Sequence, residues 1–187
     1  MIDAFIGLGS NLGDRLGSLG RAVELLAREP GFSVRAVSSV YDTAPVGPPQ
    51  PRYLNAVVRL TAFTGAHATL KRLHAIEEAL GRVRRDKWGP REIDLDLLLF
   101  GAQVLEGPIA VPHPRLHERA FVLLPLCERC PEVRHPLLGR TALSLLDALS
   151  AEDRAGVRKL GSLRRRELTD ETAAEPEGPA SEPPKPS

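Results

Sequence analysis

Three observations predict an α+β domain built on an antiparallel sheet. Short apolar runs recur at strand length, two longer segments carry apolar residues at helical spacing, and Gly, Pro and Asn punctuate the junctions. Read in order they give β-α-β-β-α-β, the ferredoxin-like layout with packed helices on one face of the sheet.

Asp3–Gly9 is a short apolar run that ends in Gly-Ser-Asn-Leu-Gly-Asp, a strand entering a turn. Leu16, Leu19, Val23 and Leu26 follow at helical spacing up to Pro30. Val34–Tyr41, rich in Val and Ser, predicts a second strand. Pro45–Pro51 holds four prolines and a glycine and is a loop. Tyr53–Ala62 returns as a strand with Leu54, Val57 and Val58 apolar. A helix over about 66–80 carries Leu70, Leu73, Ile76, Glu77 and Leu80, and Gly81 is placed to end it. Ile93–Phe100 is a further strand. Residues 101–150 add a short extended piece and a helix or two.

The 187 residues include 25 basic and 24 acidic side chains, a net charge of +1, with 42% hydrophobic residues. That balance suits one soluble globular domain and argues against a histone-like or an acidic solvating protein. No run approaches the ~20 apolar residues of a membrane span. Met1-Ile2-Asp3 lacks the basic-then-apolar start of a signal peptide, and two cysteines make no disulfide framework. The expectation is a cytoplasmic monomer with no nucleic-acid or membrane partner. From Asp170 to Ser187 there are five prolines and no Val, Ile, Leu, Met or aromatic residue, too little apolar surface to offset the entropy of ordering. A single domain over 1–160 is therefore expected, followed by a disordered Pro/Glu-rich C-terminal tail over 161–187 that opens with a solvated Arg164-Arg165-Arg166 patch.

The richest chemistry lies in residues 81–100. Five basic side chains surround the lone tryptophan in a Gly/Pro-punctuated loop, and a strand follows. Alternate residues of a strand share a face, so Asp94 and Asp96 point one way while Ile93, Leu95 and Leu97 point the other. Leu98 then shares the carboxylates' face. Two carboxylates one repeat apart repel, and a divalent cation relieves that; Mg²⁺ combines such oxygens with those of a phosphate, which the neighbouring arginines also suit. A solvated acidic edge strand is the alternative, and the apolar flank Leu97–Phe100 weighs against it.

A second segment, Val111–Phe121, offers His113, His117, Arg115, Arg119 and Phe121. A phosphate grip with a stacking ring fits it; a helix with Leu116 and Phe121 in the core fits it more simply. In a third, Thr43-Ala44-Pro45-Val46-Gly47 leads to Tyr53 and Asn55, a ring and an amide on one strand face that suit the lactam and amino edge of a pterin or purine. Gly7–Gly13 matches neither the dinucleotide nor the Walker A pattern and reads as a tight turn with a polar cap. Cys127-Glu128-Arg129-Cys130 reads as two half-buried thiols on one helical face rather than as a zinc or redox site.

The segment Lys87-Trp88-Gly89-Pro90-Arg91-Glu92-Ile93-Asp94-Leu95-Asp96-Leu97-Leu98 resembles the signature of the 6-hydroxymethyl-7,8-dihydropterin pyrophosphokinase family of folate biosynthesis. Gly7–Asp14, Ser38–Tyr41, Thr43–Gly47, Tyr53–Ala56 and Val111–His113 match in the family's order, over about residues 2–150. The resemblance implies a ferredoxin-like fold and transfer of pyrophosphate from MgATP to the pterin hydroxymethyl group, releasing AMP. It implies two Mg²⁺ ions on Asp94 and Asp96, and a nucleotide-closing loop carrying Arg82, Arg84, Trp88 and Arg91. Arg91, His113 and Arg119 would meet the phosphates, with Arg82, Arg84, Arg91, Asp94 and Asp96 as the catalytic set. Tyr53 and Phe121 would enclose the pterin, and Asn55 with the backbone near Thr43, Ala44 and Val46 would read its edge. Glu77 and the backbone of Leu97 would lie at the nucleotide. The chain departs from the family's pattern at Pro108, Ala110 and Pro114 and in slightly shorter Arg84–Trp88 and Pro-rich loops.

Two other classes fit the predicted fold. One is a ferredoxin-like ligand- or RNA-binding module without catalysis; 4% aromatics and the lack of a Lys/Arg-Gly-Phe/Tyr run weigh against RNA. The other is an ordinary kinase releasing ADP.

Overall fold

The computed structural model describes residues 1–45, 49–82 and 89–163; the expectations for Val46, Arg84, Trp88 and the chain beyond 163 lie outside the described residues. The chain forms β1 (Ile2–Ser10), α1 (Arg15–Arg28), β2 (Phe32–Val37), β3 (Val40–Thr43), β4 (Tyr53–Ala62), α2 (Ala66–Ala79) and β5 (Asp94–Phe100). A 3-10 turn at Leu116–Glu118, α3 (Ala120–Arg129), α4 (Ala142–Asp147), α5 (Ala151–Ala155) and β6 (Val157–Gly161) complete it. The sheet is antiparallel in the order β5-β1-β4-β3-β6, with β2 also on β4. Its first five strands keep the predicted ferredoxin-like connectivity, with β2 and β3 sharing one position.

The expected single strand Val34–Tyr41 is two strands. At the break a side chain replaces a ladder carbonyl and the next residue leaves the ladder: Ser38 Oγ accepts from Val57 N of β4 at 2.9 Å, and Ser39 N and Oγ both donate to Glu128 on α3. The pairing with β4 shifts register across the break, from Val37 opposite Val58 to Tyr41 opposite Asn55. Short polar side chains compete for backbone partners, and here they interrupt the ladder.

Helices on one face was also too simple. One face packs against α1 and α2, with Ile6, Leu8 and Leu95 meeting Leu19, Leu26 and Leu73. The other carries a second core of Phe5, Val57, Leu98 and Leu99 under Leu123 and Leu126 of α3 and Leu145 of α4. Strand residues apolar on both faces require cover on both, and each fully buried leucine stabilises by about 1.5–3 kcal/mol. A register shift between Phe5 and Ile6 turns Leu98 and Leu99 together to the second face and sends Phe100 to the first.

α1 begins where predicted, with the Asp14 side chain accepting from Gly17 N at 2.9 Å. At the other end of the described chain, β6 pairs with β3 through Gly161, and Leu160 and Leu163 pack on the first core. Ordered pairing thus runs past residue 160. Among the described residues no helix is long and apolar enough to cross a membrane.

Candidate active site

α3 and α4 cover only part of the second face. Where they stop, β1 presents Gly7 and Gly9 as the floor of a cleft of about 310 Å³. In register, Gly9 lies between Asn55 and Asp94, and Gly7 between Val57 and Asp96. A β-carbon at Gly9 would stand 3.2 Å from Asn55 Oδ1, and one at Gly7 3.3 Å from Leu98 Cδ2. The glycines therefore keep the floor low between two rows of side chains.

One end of the cleft is charged. Asp94, Asp96, Arg91, His113 and Arg119 line it. Asp94 Oδ1 receives Arg91 Nη1 at 2.9 Å and Arg82 Nη1 at 2.9 Å, and Arg82 also pairs with Glu77. Burial, and then repulsion from Asp94, holds the Asp96 carboxyl well above the usual carboxylate range. Burial and then the Arg119 charge push His113 down to about 4, so its ring is neutral at pH 7. His113 Nδ1 accepts from Arg115 N at 3.2 Å, which leaves its proton on Nε2 as a donor. Neutral donor, guanidinium and carboxylate thus meet at one end, as a polyanion arriving with a cation requires.

The other end is flat and amphipathic. Tyr53, Phe121, Asn55, Thr43, Ala44 and Gln50 line it. Asn55 Nδ2 donates to Thr43 Oγ1 at 2.7 Å, which fixes the amide with Oδ1 over Gly9 as an acceptor. Arg119 ties the two ends together, its guanidinium 5.5 Å from the centroid of Phe121.

Of the residues singled out in the sequence, Thr43, Ala44, Tyr53, Asn55, Arg91, Asp94, Asp96, His113, Arg119 and Phe121 come together on this cleft. For Val111–Phe121 the simpler core reading is incomplete: Leu116 is core, while His113, Arg119 and Phe121 face the cleft. Arg82 joins through Asp94 without lining the cleft. Glu77 and the side chain of Leu97 lie with the first-face core. Glu77 is buried and pushed up to about 7 by that burial, with its carboxylate accepting from Leu95 N at 2.7 Å and pairing with Arg82. Val46, Arg84 and Trp88 lie outside the described residues.

Sequence reasoning missed Gly7, Gly9 and Gln50. In the sequence Gly7–Gly13 reads as a turn, although the two-residue spacing of Gly7 and Gly9 inside a strand signals a close approach. The Cys-x-x-Cys pair sits away from the cleft. Both thiols are free, Cys127 is pushed up to about 11 by burial, and Cys130 accepts from Arg59.

The model of the 7,8-dihydro-6-hydroxymethylpterin-pyrophosphokinase family matches residues 5–131. The 2-amino-4-hydroxy-6-hydroxymethyldihydropteridine pyrophosphokinase of Methylorubrum extorquens is 44% identical over 158 residues, covering 81% of this chain and 98% of the relative. Its namesake in Bacillus subtilis is 43% identical over 158 residues, covering 83% and 88%. Among solved structures, an HPPK-DHPS in complex with substrates superimposes with a TM-score of 0.62 at 12% identity over 79% of this chain. Wild-type Plasmodium falciparum HPPK-DHPS with STZ-DHP gives 0.63 at 14% over 78%. At such identity these two establish likeness of fold, and this chain spans 43% of each of them.

Proposed function

This chain belongs to the 7,8-dihydro-6-hydroxymethylpterin-pyrophosphokinase family, ATP-dependent enzymes of folate biosynthesis, and from that premise we propose that it transfers pyrophosphate from MgATP to the hydroxymethyl oxygen of 6-hydroxymethyl-7,8-dihydropterin and releases AMP. The observation that carries the proposal is the two-ended cleft: carboxylates with arginines at one end, two rings with a fixed amide at the other. A pterin is flat, with an apolar face and a donor/acceptor edge. Tyr53 and Phe121 offer rings for the face, and Asn55 Oδ1 an acceptor for the edge.

Asp94 and Asp96 fit a divalent cation that prefers oxygen. They are two hard carboxylates on one strand face, and burial with mutual repulsion raises the second. Two protein carboxylates, rather than a closed cage, suit Mg²⁺ that keeps phosphate oxygens among its ligands. When bound, Mg²⁺ supplies charge neutralisation for the phosphates and the leaving AMP.

The chain's own groups do the rest. Arg91 and Arg119 offset the charge of the phosphates, and the neutral His113 donates a hydrogen bond from Nε2–H to a phosphate oxygen. Arg82, held by Glu77, keeps Asp94 oriented and adds a cation beside it. Tyr53, Phe121 and Asn55 fix the pterin so that its hydroxymethyl oxygen faces the β-phosphorus. Positioning makes the displacement intramolecular in effect, so no nucleophilic Ser or Cys is needed. The new bond forms from the pterin oxygen to the β-phosphorus as its hydroxyl proton passes to solvent, the bond from β-phosphorus to the α,β-bridging oxygen breaks, and AMP leaves with that oxygen.

The test is product analysis with ATP, Mg²⁺ and the pterin, with and without EDTA. Pterin-dependent AMP that disappears with EDTA is expected. ADP in its place, or turnover unaffected by EDTA, overturns the proposal.

A further inference from the structure

We propose that Asn11 is a positioning residue that sets both ends of the cleft from one buried side chain. The inference rests on the reaction proposed above and concerns a residue that lines no part of the cleft. Asn11 follows β1 directly and is 2% exposed. Its backbone N–H donates to Arg91 O at 3.1 Å, and its Oδ1 accepts from Arg91 N at 2.8 Å. Its Nδ2 donates to Gln50 Oε1 at 3.1 Å and to Pro51 O at 3.1 Å. The preceding Ser10 adds a third tie to the Arg91-Glu92 segment, donating Oγ to Glu92 O at 2.7 Å.

The partners are the two walls of the site. Gln50 Oε1 also accepts from Tyr53 OH at 3.2 Å, and Arg91 Nη1 lies 2.9 Å from Asp94. A continuous path therefore runs Tyr53–Gln50–Asn11–Arg91–Asp94, from the ring end to the carboxylate end. Only a primary amide supplies this junction, because one acceptor and two donors must leave a single short side chain in different directions. A 1 Å misplacement of either wall is costly when positioning is the main source of catalysis. Asn11 is thus the point where the Pro-rich loop and the arginine loop share one reference.

The test separates the two arms. Asn11→Asp keeps the acceptor for Arg91 N and removes both donors to Gln50 and Pro51. Its pterin KM should rise about tenfold with kcat within about threefold of wild type. Asn11→Ala removes both arms, and kcat should also fall, by about 100-fold. Pterin affinity of Asn11→Asp measured by equilibrium dialysis without ATP should weaken by the same factor as KM. An unchanged pterin KM and affinity in Asn11→Asp, or a loss in kcat alone, overturns the inference. A loss in Asn11→Ala that merely tracks its folded fraction by circular dichroism overturns it as well, and if that variant does not fold, Asn11→Asp decides. The wild-type chain is assayed alongside. Failure of the wild type to make pterin-dependent AMP would defeat the proposed reaction, which is distinguishable from failure of Asn11's part in it.

Discussion

Gly9 leaves Asn55 open: a β-carbon at position 9 would stand 3.2 Å from Oδ1 of Asn55, the amide oxygen not used by Thr43. The same carbon would lie 3.8 Å from Tyr53 Cδ1. Gly9 takes an ordinary strand conformation, so the cost of Gly9→Ala falls on the cleft and not on the backbone. The expected result is a pterin KM raised about tenfold or more, an ATP KM within about twofold, and a melting temperature close to wild type. Steady-state kinetics with each substrate varied in turn checks it; an equal rise in both KM values would remove Gly9 from the pterin end.

Asp96→Asn separates function from stability. Asp96 is half-buried beside Asp94, so its charge is a burden on the ligand-free fold. Neutralising it should leave the melting temperature unchanged or raise it, while turnover with Mg²⁺ falls by about a thousandfold or more. Activity near wild type would refute its assignment to the cation.

The sheet was legible because strand and helix periods differ and Gly, Pro and Asn mark the junctions; β4 runs over the predicted Tyr53–Ala62. The split between β2 and β3 was hidden because it depends on Ser39 reaching Glu128, 89 residues away. The second helical layer was hidden for a related reason. Leu98 and Leu99 share a face only because of a register shift opposite Phe5 and Ile6, which no alternation rule anticipates. At the site, residue types declared themselves where the chemistry is distinctive, as in the Asp94/Asp96 pair. Gly7 and Gly9 did not, because their contribution is the space left by absent side chains. Asn11 did not either, since its partners lie about 40 and 80 residues onward and only folding brings them together.

Glu128 fastens α3, and with it Phe121 and Arg119, to β3 and the β2–β3 junction of the sheet. Its carboxylate accepts from Tyr41 OH at 2.9 Å and from Ser39 N and Oγ, and Lys159 and Arg129 lie beside it. Glu128→Ala leaves those donors unpaired, a cost of about 2–3 kcal/mol for a largely buried set. For a domain of this size the melting temperature should fall by roughly 4–12 °C. A drop of under a degree would mean that water replaces the carboxylate without loss. Glu128→Gln should recover part of the deficit, since its amide oxygen still accepts.

His113 provides a test by pH. Its folded-state value is about 4, lowered by burial and by Arg119, against an ordinary 6.5 when unfolded. Between those values the unfolded chain binds a proton that the native chain refuses, so this residue's contribution to stability is complete above pH 6.5 and is lost as pH falls toward 4. Glu77 pulls the other way. Its carboxyl is raised to about 7, so the native chain keeps a proton that the unfolded chain releases, and stability falls as pH rises from about 4.5 to 7. Asp96, likewise raised, adds to the Glu77 slope, so the wild-type curve alone mixes opposed slopes. His113→Gln removes one of them: from pH 7.5 to 4.5 its ligand-free melting temperature should decline less steeply, or rise, relative to wild type. Parallel melting curves for the two proteins would mean that His113 titrates at its ordinary value and is not held neutral at the charged end of the cleft.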